Sequence, residues 1–205
     1  MARPNPLLRS FPTRVRLDGA EYPLGWRFTD CIPVILAYED EALTVSEQQE
    51  ILFRRLFPEP PPEYLRMPAL LQAIRFLDGG VSAQDEQEEE EPSENNLRLY
   101  SFTKDGGLIY SAFRGQYGID LRQDEIHWWS FLSLLTDLAP DCQFYQLLHL
   151  REGWLNGTLS REEEQLFARM GSQALPPPQP GDREREENAR HFLDLLEGGV
   201  AHAIH

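Results

Sequence analysis

Two carboxylate–imidazole pairs are spaced so that each could contribute ligands to a metal ion. Asp124 and His127 are three residues apart, and His149 and Glu152 repeat that spacing in reverse order. Helical pairs at i and i+3 share a face, and di-metal sites in bundles combine such pairs with further inward carboxylates. Here the second pair is reversed, the first uses the shorter Asp, and no further inward carboxylate stands out. We therefore favour a structural His127, and a metal-dependent enzyme using these four residues is the least favoured hypothesis.

Other signatures of catalysis are missing from the sequence. Cys31 and Cys142 are single and far apart, which indicates neither a disulfide framework nor a metal knuckle. The chain contains no glycine-rich phosphate loop and no Gly-x-Ser-x-Gly elbow. The glycines after Asp105 and after Glu197 are typical of turns. We predict a protein with no catalytic residues, no bound metal and no cofactor.

Composition narrows the classes of partner. The 205 residues carry a formal net charge of −15, which opposes binding to nucleic acid or to an anionic membrane and favours basic partners. No apolar run approaches the roughly 20 residues that a membrane helix needs. The N-terminus lacks the pattern of a signal peptide. We expect the protein to act in the cytoplasm.

The start of the chain predicts a β-hairpin over residues 13–28. Val15 and Leu17 alternate with polar residues before Asp18-Gly19, and Tyr22 begins a second alternating arm. Asp-Gly between two such arms favours a type I′ turn, in which both central residues need positive φ. A lone hairpin is marginal in water, so this one should lie against helices.

The rest of the chain predicts a mainly α-helical fold of about six or seven helices. Ser46 with Gln49, and Ser160 with Glu163, form capping-box patterns that mark two helix starts. Apolar periodicity indicates helices in the stretches 31–43, 44–58, 63–80, 108–117, 125–138, 142–150 and 160–170. Of these, 125–138 is apolar on nearly all sides, which predicts a helix buried on more than one side.

Aromatic residues divide between core and surface. Trp129 aligns with apolar neighbours one turn away, whereas the stripe through Trp128 begins at Asp124. We therefore place Trp128 at the edge of the core or under the N-terminal hairpin. Trp154 is an isolated aromatic that, like Trp128, is a candidate partner contact. The predicted core comprises Phe113, Tyr117, Ile126, Trp129, Leu132 and Leu135.

Two segments read differently from the helical domain predicted over residues 1–175. Residues 84–96 contain no apolar side chain, which predicts an acidic linker. Residues 176–205 begin with a proline-rich break and continue as an amphipathic helix that includes Phe192 and Leu196. We interpret that extension as a docking or self-association element, with Phe192 and Leu196 as candidate contacts.

A long stretch of the sequence resembles the gene-product-fifteen family of bacteriophages. Between Ile109 and Arg151, "QYGIDL" is followed by "HWW" with a helix, and then by a Pro-Asp turn and an aromatic-led helix. The opening "PTRVRLDGAEYPL" and the middle "LFPEPPPE" also resemble the family. The resemblance extends roughly from Phe11 to Leu175, and the extension from Pro176 has no counterpart.

The resemblance implies a phage or prophage protein of tail morphogenesis, without known catalytic residues. It further implies a tail-assembly chaperone that holds the tape-measure protein in the host cell cytoplasm. The alternative is a structural tail-completion or connector protein that stays in the virion. Expected partners are other phage tail proteins, above all the tape-measure protein, or a second copy of the chain.

Overall fold

The computed structural model describes residue 5 and residues 7–80 and 98–178. They form a hairpin of two strands, seven α-helices and two short 3₁₀ helices, at 63–65 and 171–173. The strands and helices are β1 (Arg14–Leu17), β2 (Ala20–Pro23), α1 (Phe28–Glu39), α2 (Val45–Leu56), α3 (Arg66–Leu77), α4 (Phe102–Tyr117), α5 (Trp128–Thr136), α6 (Gln143–Asn156) and α7 (Arg161–Met170). The predicted mainly α fold with an N-terminal hairpin is confirmed.

The described residues fall into two compact units. Unit 1 contains the residues up to 80 and residues 101–147, and unit 2 contains residues 98–100 and 148–178. Unit 1 holds the hairpin, α1 to α5 and the first residues of α6, and unit 2 holds the rest of α6 together with α7.

The hairpin forms as its turn residues predict. β1 and β2 are antiparallel, with Leu17 opposite Ala20, and Asp18 and Gly19 have φ of 46° and 81°. Val15 and Leu17 face inward and are buried, and β1 contacts α3. The helices of unit 1 thus cover the apolar face that a lone hairpin would leave in water.

Two helix starts show how capping residues set the boundaries. The Ser160 hydroxyl accepts from the Glu163 N–H, and the Glu163 carboxylate accepts from the Ser160 N–H at 2.8 Å, which confirms that capping box. The predicted box at Ser46 is wrong, because Thr44 and Glu47 form it two residues earlier. Both boxes that form have Glu at the third helical position.

Two other helix starts differ from the prediction. α4 begins at Phe102 rather than at 108, because the Ser101 hydroxyl caps it, and Gly106 and Gly107 therefore lie inside a helix and not in a turn. α5 begins only at Trp128, because His127 acts as its N-cap with extended backbone. Capping groups, more than apolar periodicity, decide these ends.

Some predictions concern residues outside the described ranges. The acidic linker at 84–96 and the helix containing Phe192 and Leu196 both lie there. The linker, the extension and the boundary after residue 175 remain predictions.

Candidate partner-binding surfaces

The starts of α1 and α5 are joined by a short antiparallel bridge. The Phe28 N–H donates to Ile126 O and the Trp128 N–H donates to Trp26 O, each at 2.8 Å. These donors are among the N–H groups that a helix start leaves without an intrahelical partner. The bridge fixes the two helix starts side by side and places the aromatic residues around it.

His127 is occupied by structural contacts on both ring nitrogens. Nδ1 accepts the Trp129 N–H at 3.0 Å, so Nε2 carries the proton and donates to Pro12 O at 3.0 Å. The ring also stacks on Trp26, with centroids 5.4 Å apart. Burial lowers the pKa of His127, and the bond to Pro12 only partly offsets that effect. A neutral ring that caps a helix fits the structural role predicted for this residue.

The carboxylate–histidine pairs do not assemble as a metal site would require. Asp124 lies before α5, and its carboxylate accepts the Asp120 N–H at 2.7 Å. His149 Nε2 lies 3.1 Å from the carboxylate of Glu163, which belongs to α7. The predicted partner of His149 was Glu152. Among residues 5, 7–80 and 98–178, no group of three or more His, Cys, Asp or Glu side chains could hold a metal ion.

The adjacent tryptophans both close the end of α3. The Trp128 indole N–H donates to Leu77 O at 2.8 Å, and the Trp129 indole N–H donates to Phe76 O at 2.7 Å. Both carbonyls belong to the last turn of α3, beyond the regular i+4 hydrogen bonds of the helix, and Phe76 O also accepts the Gly79 N–H at 3.1 Å. Trp128 is only 1% exposed and Trp129 is 0% exposed. Trp128 is therefore a core residue, and its assignment as an edge residue and partner contact was wrong.

The other predicted core residues lie in or beside this core. Tyr117 and Leu132 are half-buried, and the Tyr117 hydroxyl donates to Leu134 O at 2.9 Å. The buried members of the predicted set are Phe113, Ile126, Trp129 and Leu135.

Glu39, which the sequence analysis missed, joins α1 to α4. Its carboxylate accepts the N–H groups of Phe102 and Thr103, at 3.0 and 2.9 Å, and the hydroxyls of Ser101 and Thr103, both at 2.8 Å. Burial alone would raise the pKa of Glu39, but these hydrogen bonds outweigh it and hold the pKa below its usual value. An anion at a helix N-terminus is also favoured by the helix dipole. No local pattern could reveal a cap that lies 62 residues away.

An apolar groove of about 420 Å³ opens between α1 and α4. Gly106 and Gly107 form part of it, and a Cβ built on either would meet nothing within 4 Å. Glycine in a helix interior costs about 1 kcal/mol relative to Ala, so this pair is not there for helix stability. The main lining residues are Phe28, Ile32, Leu36, Gly106, Gly107 and Tyr110.

In unit 2, α6 and α7 form a helical hairpin with a tight turn. The Thr158 N–H donates to Gly153 O at 2.8 Å and the Gly157 N–H donates to Trp154 O at 3.3 Å, the Schellman arrangement, with Gly157 at φ 65°. A Cβ at Gly153 would lie 2.5 Å from a methyl group of Leu159, so the Leu159 side chain would have to move to admit one. After the turn, α7 meets α6 at two places, where His149 contacts Glu163 and Trp154 stacks on Phe167.

α7 leaves its apolar side largely in solvent. No residue of α7 is buried, and Leu166 is 40% exposed. Phe167 stacks on Trp154 of α6 with centroids 5.5 Å apart and planes only 4° from parallel, yet Trp154 remains 45% exposed. The structure therefore leaves Trp154 accessible to a partner, as a contact residue requires.

Arg151 holds several chain segments of unit 2 together, and its role was not predicted from the sequence. The residue is 0% exposed, and its guanidinium donates to Leu99 O, Gln173 O and Ala174 O at 2.8, 3.0 and 3.2 Å. A guanidinium can serve several acceptors at once because its donors are spread over a rigid plane. Arg151 thereby ties two distant chain segments to α6.

The described part of the chain is mainly helical, His127 caps one of its helices, and apolar residues line its open groove. The chain belongs to the family described as Bacteriophage Gp15 protein, whose family model matches residues 8–173. The resemblance noted in the sequence is confirmed, and the family indicates a phage structural or morphogenesis protein. No curated protein and no solved structure was similar enough to count as a match. None of the described helices is both long and apolar enough to cross a bilayer.

Proposed function

We propose that this chain is a non-catalytic tail-assembly chaperone of the phage. It binds apolar helical segments of the tape-measure protein in the host cytoplasm until the tail tube encloses them. The observation that carries the proposal is the open apolar groove between α1 and α4. Membership of the phage family supports the setting, and the structural engagement of His127 on both ring nitrogens supports a role without catalysis.

The groove has the features of a site that receives a helix. Helix-in-groove recognition uses an apolar stripe on one partner and an apolar channel on the other. Phe28, Ile32 and Leu36 supply one wall at helical spacing, and Gly106 and Gly107 let a partner approach the backbone of α4 closely. Long helices with apolar seams would expose such stripes before assembly.

The test is co-expression of the chain with the tape-measure protein from the same genome, followed by capture through a tag on the chain. Gly107→Leu fills the groove with a side chain, and we expect it to abolish most of the capture. Gly115→Leu is the matched control, because Gly115 lies in the same helix, outside this groove, and also has open space at its Cβ. Equal capture by both variants would remove the groove from the proposal, and no capture by the unaltered chain would overturn the chaperone role.

Mass spectrometry of purified particles separates the chaperone from a structural tail protein. A chaperone acts before the tail is finished, so its peptides should be absent from particles and present in the lysate. Recovery of the chain in particles at the level of known tail proteins would instead support the tail-completion or connector role.

A further inference from the structure

A small pocket lies on the hairpin of unit 2, beside the exposed aromatic pair. It has a volume of about 270 Å³ and is lined by Gly153, Trp154, Gly157, Leu159, Glu164 and Phe167. Two aromatic rings and one carboxylate therefore face the same space.

The carboxylate of Glu164 is available to a ligand. Glu164 is exposed and forms no ion pair or side-chain hydrogen bond with any residue in the described ranges. Its neighbour Glu163 is instead used twice, by Ser160 and by His149. Glu164 thus lines the pocket without a cationic partner among the described residues.

Aromatic faces and a carboxylate together define the chemistry of a cation site. Lysine and arginine side chains bind over indole and phenyl rings, and their charge is met by a nearby carboxylate. With a volume of about 270 Å³, the pocket can hold one long side chain but not a larger part of a partner. The exposed apolar residues beside it, Trp154 and Leu166, suit the apolar neighbours of that cation on a helix.

We propose that unit 2 docks a basic amphipathic helix of a partner protein, with a lysine or arginine of that helix in the pocket beside the stacked rings of Trp154 and Phe167 and close to Glu164. Charge complementarity favours such a partner, since the chain itself carries a net charge of −15. The same net charge opposes a second copy of the chain as the occupant. The inference rests on the proposed function in that it specifies a further feature of a helical client, basic residues flanking its apolar stripe.

The direct test uses a designed peptide and the full-length chain. The probe is a fluorescein-labelled helix of Leu and Ala with Lys along one flank of the apolar stripe, and binding is followed by fluorescence anisotropy. A peptide of the same composition in scrambled order controls for charge alone. A peptide with Glu in place of Lys should bind at least tenfold more weakly.

Two carboxylate variants separate the pocket from general attraction. Glu164→Gln should weaken binding of the Lys peptide about fivefold, the cost of one charge contact at an exposed site. Glu162→Gln removes the same charge from the same turn of α7 at a residue outside the pocket, and should change binding less than about twofold. Equal effects of the two substitutions would overturn the proposal, because they would indicate attraction to the acidic surface as a whole.

The aromatic contribution is tested at Trp154. Trp154→Ala should weaken binding about tenfold or more, and Trp154→Phe should retain most of it. Since Trp154 is half exposed, both variants should fold, which circular dichroism checks. Unchanged binding by Trp154→Ala would overturn the proposal, as would self-association of the chain that is lost with Trp154→Ala while the Lys peptide fails to bind.

The same variants keep this inference separate from the chaperone role. If Glu164→Gln weakens binding of the Lys peptide while the unaltered chain fails to capture the tape-measure protein, the pocket stands and the chaperone role falls. If the chain captures the tape-measure protein equally well with Trp154→Ala and Glu164→Gln, the chaperone role stands and the pocket is overturned.

Discussion

Helices α5 and α7 of the same chain differ in how far their apolar side chains are buried. On α5 the large apolar residues Trp128, Trp129 and Phe131 are at most 1% exposed, whereas α7 has no buried residue at all. Both helices are short and both carry apolar residues at helical spacing. The difference lies in what covers them. α5 is enclosed by aromatic residues of unit 1, and α7 meets mainly the exposed Trp154 of α6.

Amphipathic spacing therefore predicts that a helix forms, but it does not predict which residues bury its apolar side. The apolar side of α5 is covered by its own unit, and the indole N–H groups are satisfied there as well. In α7 the same kind of side remains in solvent, because no residue of α7 is buried.

The largest expected effect separates the two helices directly. Trp129→Ala should lower the free energy of unfolding by about 3–5 kcal/mol, because it leaves a cavity and removes the indole hydrogen bond to Phe76 O. Trp128→Ala should cost a similar amount, since Trp128 is equally buried and donates to the neighbouring carbonyl. Urea unfolding followed by circular dichroism measures both.

Trp154→Ala is the control, because it truncates the same side chain at a half-exposed site. We expect a loss below about 1 kcal/mol there. A loss at Trp154 as large as that at Trp129 would show that the aromatic pair of unit 2 is a core in its own right, and the contrast between α5 and α7 would disappear.

The elements of the fold could be predicted from the sequence because their signals are local. The Asp18-Gly19 turn and the Ser160 capping box are each specified within a few residues, and both form as expected. Trp128 could not be placed correctly, because the carbonyl that its indole meets lies 51 residues earlier in the chain.

The candidate sites were predicted less well than the elements. Trp154 was recognised as an isolated aromatic, but the pocket beside it depends on the turn that brings Glu164 and Phe167 back to α6. The groove in unit 1 was missed because Gly106-Gly107 is typical of a turn in the sequence. In the structure, Ser101 and the distant Glu39 cap α4 at an earlier residue, so that both glycines lie inside the helix. Contacts between distant residues decide both sites.

Unit 2 has an exposed helix, α7, but we expect it to be rigid around Arg151. Arg151→Lys keeps the charge but cannot reach three carbonyls at once, so we expect a loss of about 2–3 kcal/mol in the free energy of unfolding. Urea unfolding and amide hydrogen exchange in α6 measure it. Arg169→Lys is the control, since Arg169 is exposed and makes one bond, to Gln165 O. Equal stability of the two variants would contradict the role of Arg151 as an anchor.

We expect the free energy of unfolding to depend on pH through His127, the N-cap of α5. Its pKa is lowered by burial, so the unfolded chain, with an ordinary value of about 6.5, binds more protons than the folded chain. Its contribution to stability is therefore complete above about pH 6.5 and is lost as the pH falls through the folded pKa. At most, the loss should approach the roughly 1 kcal/mol of a helix N-cap.

His127→Asn isolates this effect, because Asn caps a helix without titrating. The free energy of unfolding of both proteins is measured between about pH 7.5 and about pH 5.5, where exposed carboxylates remain ionised. The unaltered chain should lose more stability over this interval than the variant does. Equal losses would show that other groups carry the pH dependence and that the protonation of His127 is not linked to folding.

The smallest expected effect has the opposite sign and tests whether the groove exists for a partner. Gly107→Ala should raise the free energy of unfolding by about 0.5–1 kcal/mol, because alanine favours the helix and its Cβ meets open space. Gly115→Ala in the same helix should give a similar gain for the same reason. Thermal unfolding measures both gains, and tape-measure capture separates the two variants. If the groove receives an apolar helix, the methyl group at 107 should weaken capture, whereas the one at 115 should not. A chain that gains stability at 107 and captures its partner as before would show that Gly107 serves no binding role, and the surface on α6 and α7 would remain as the other proposed site.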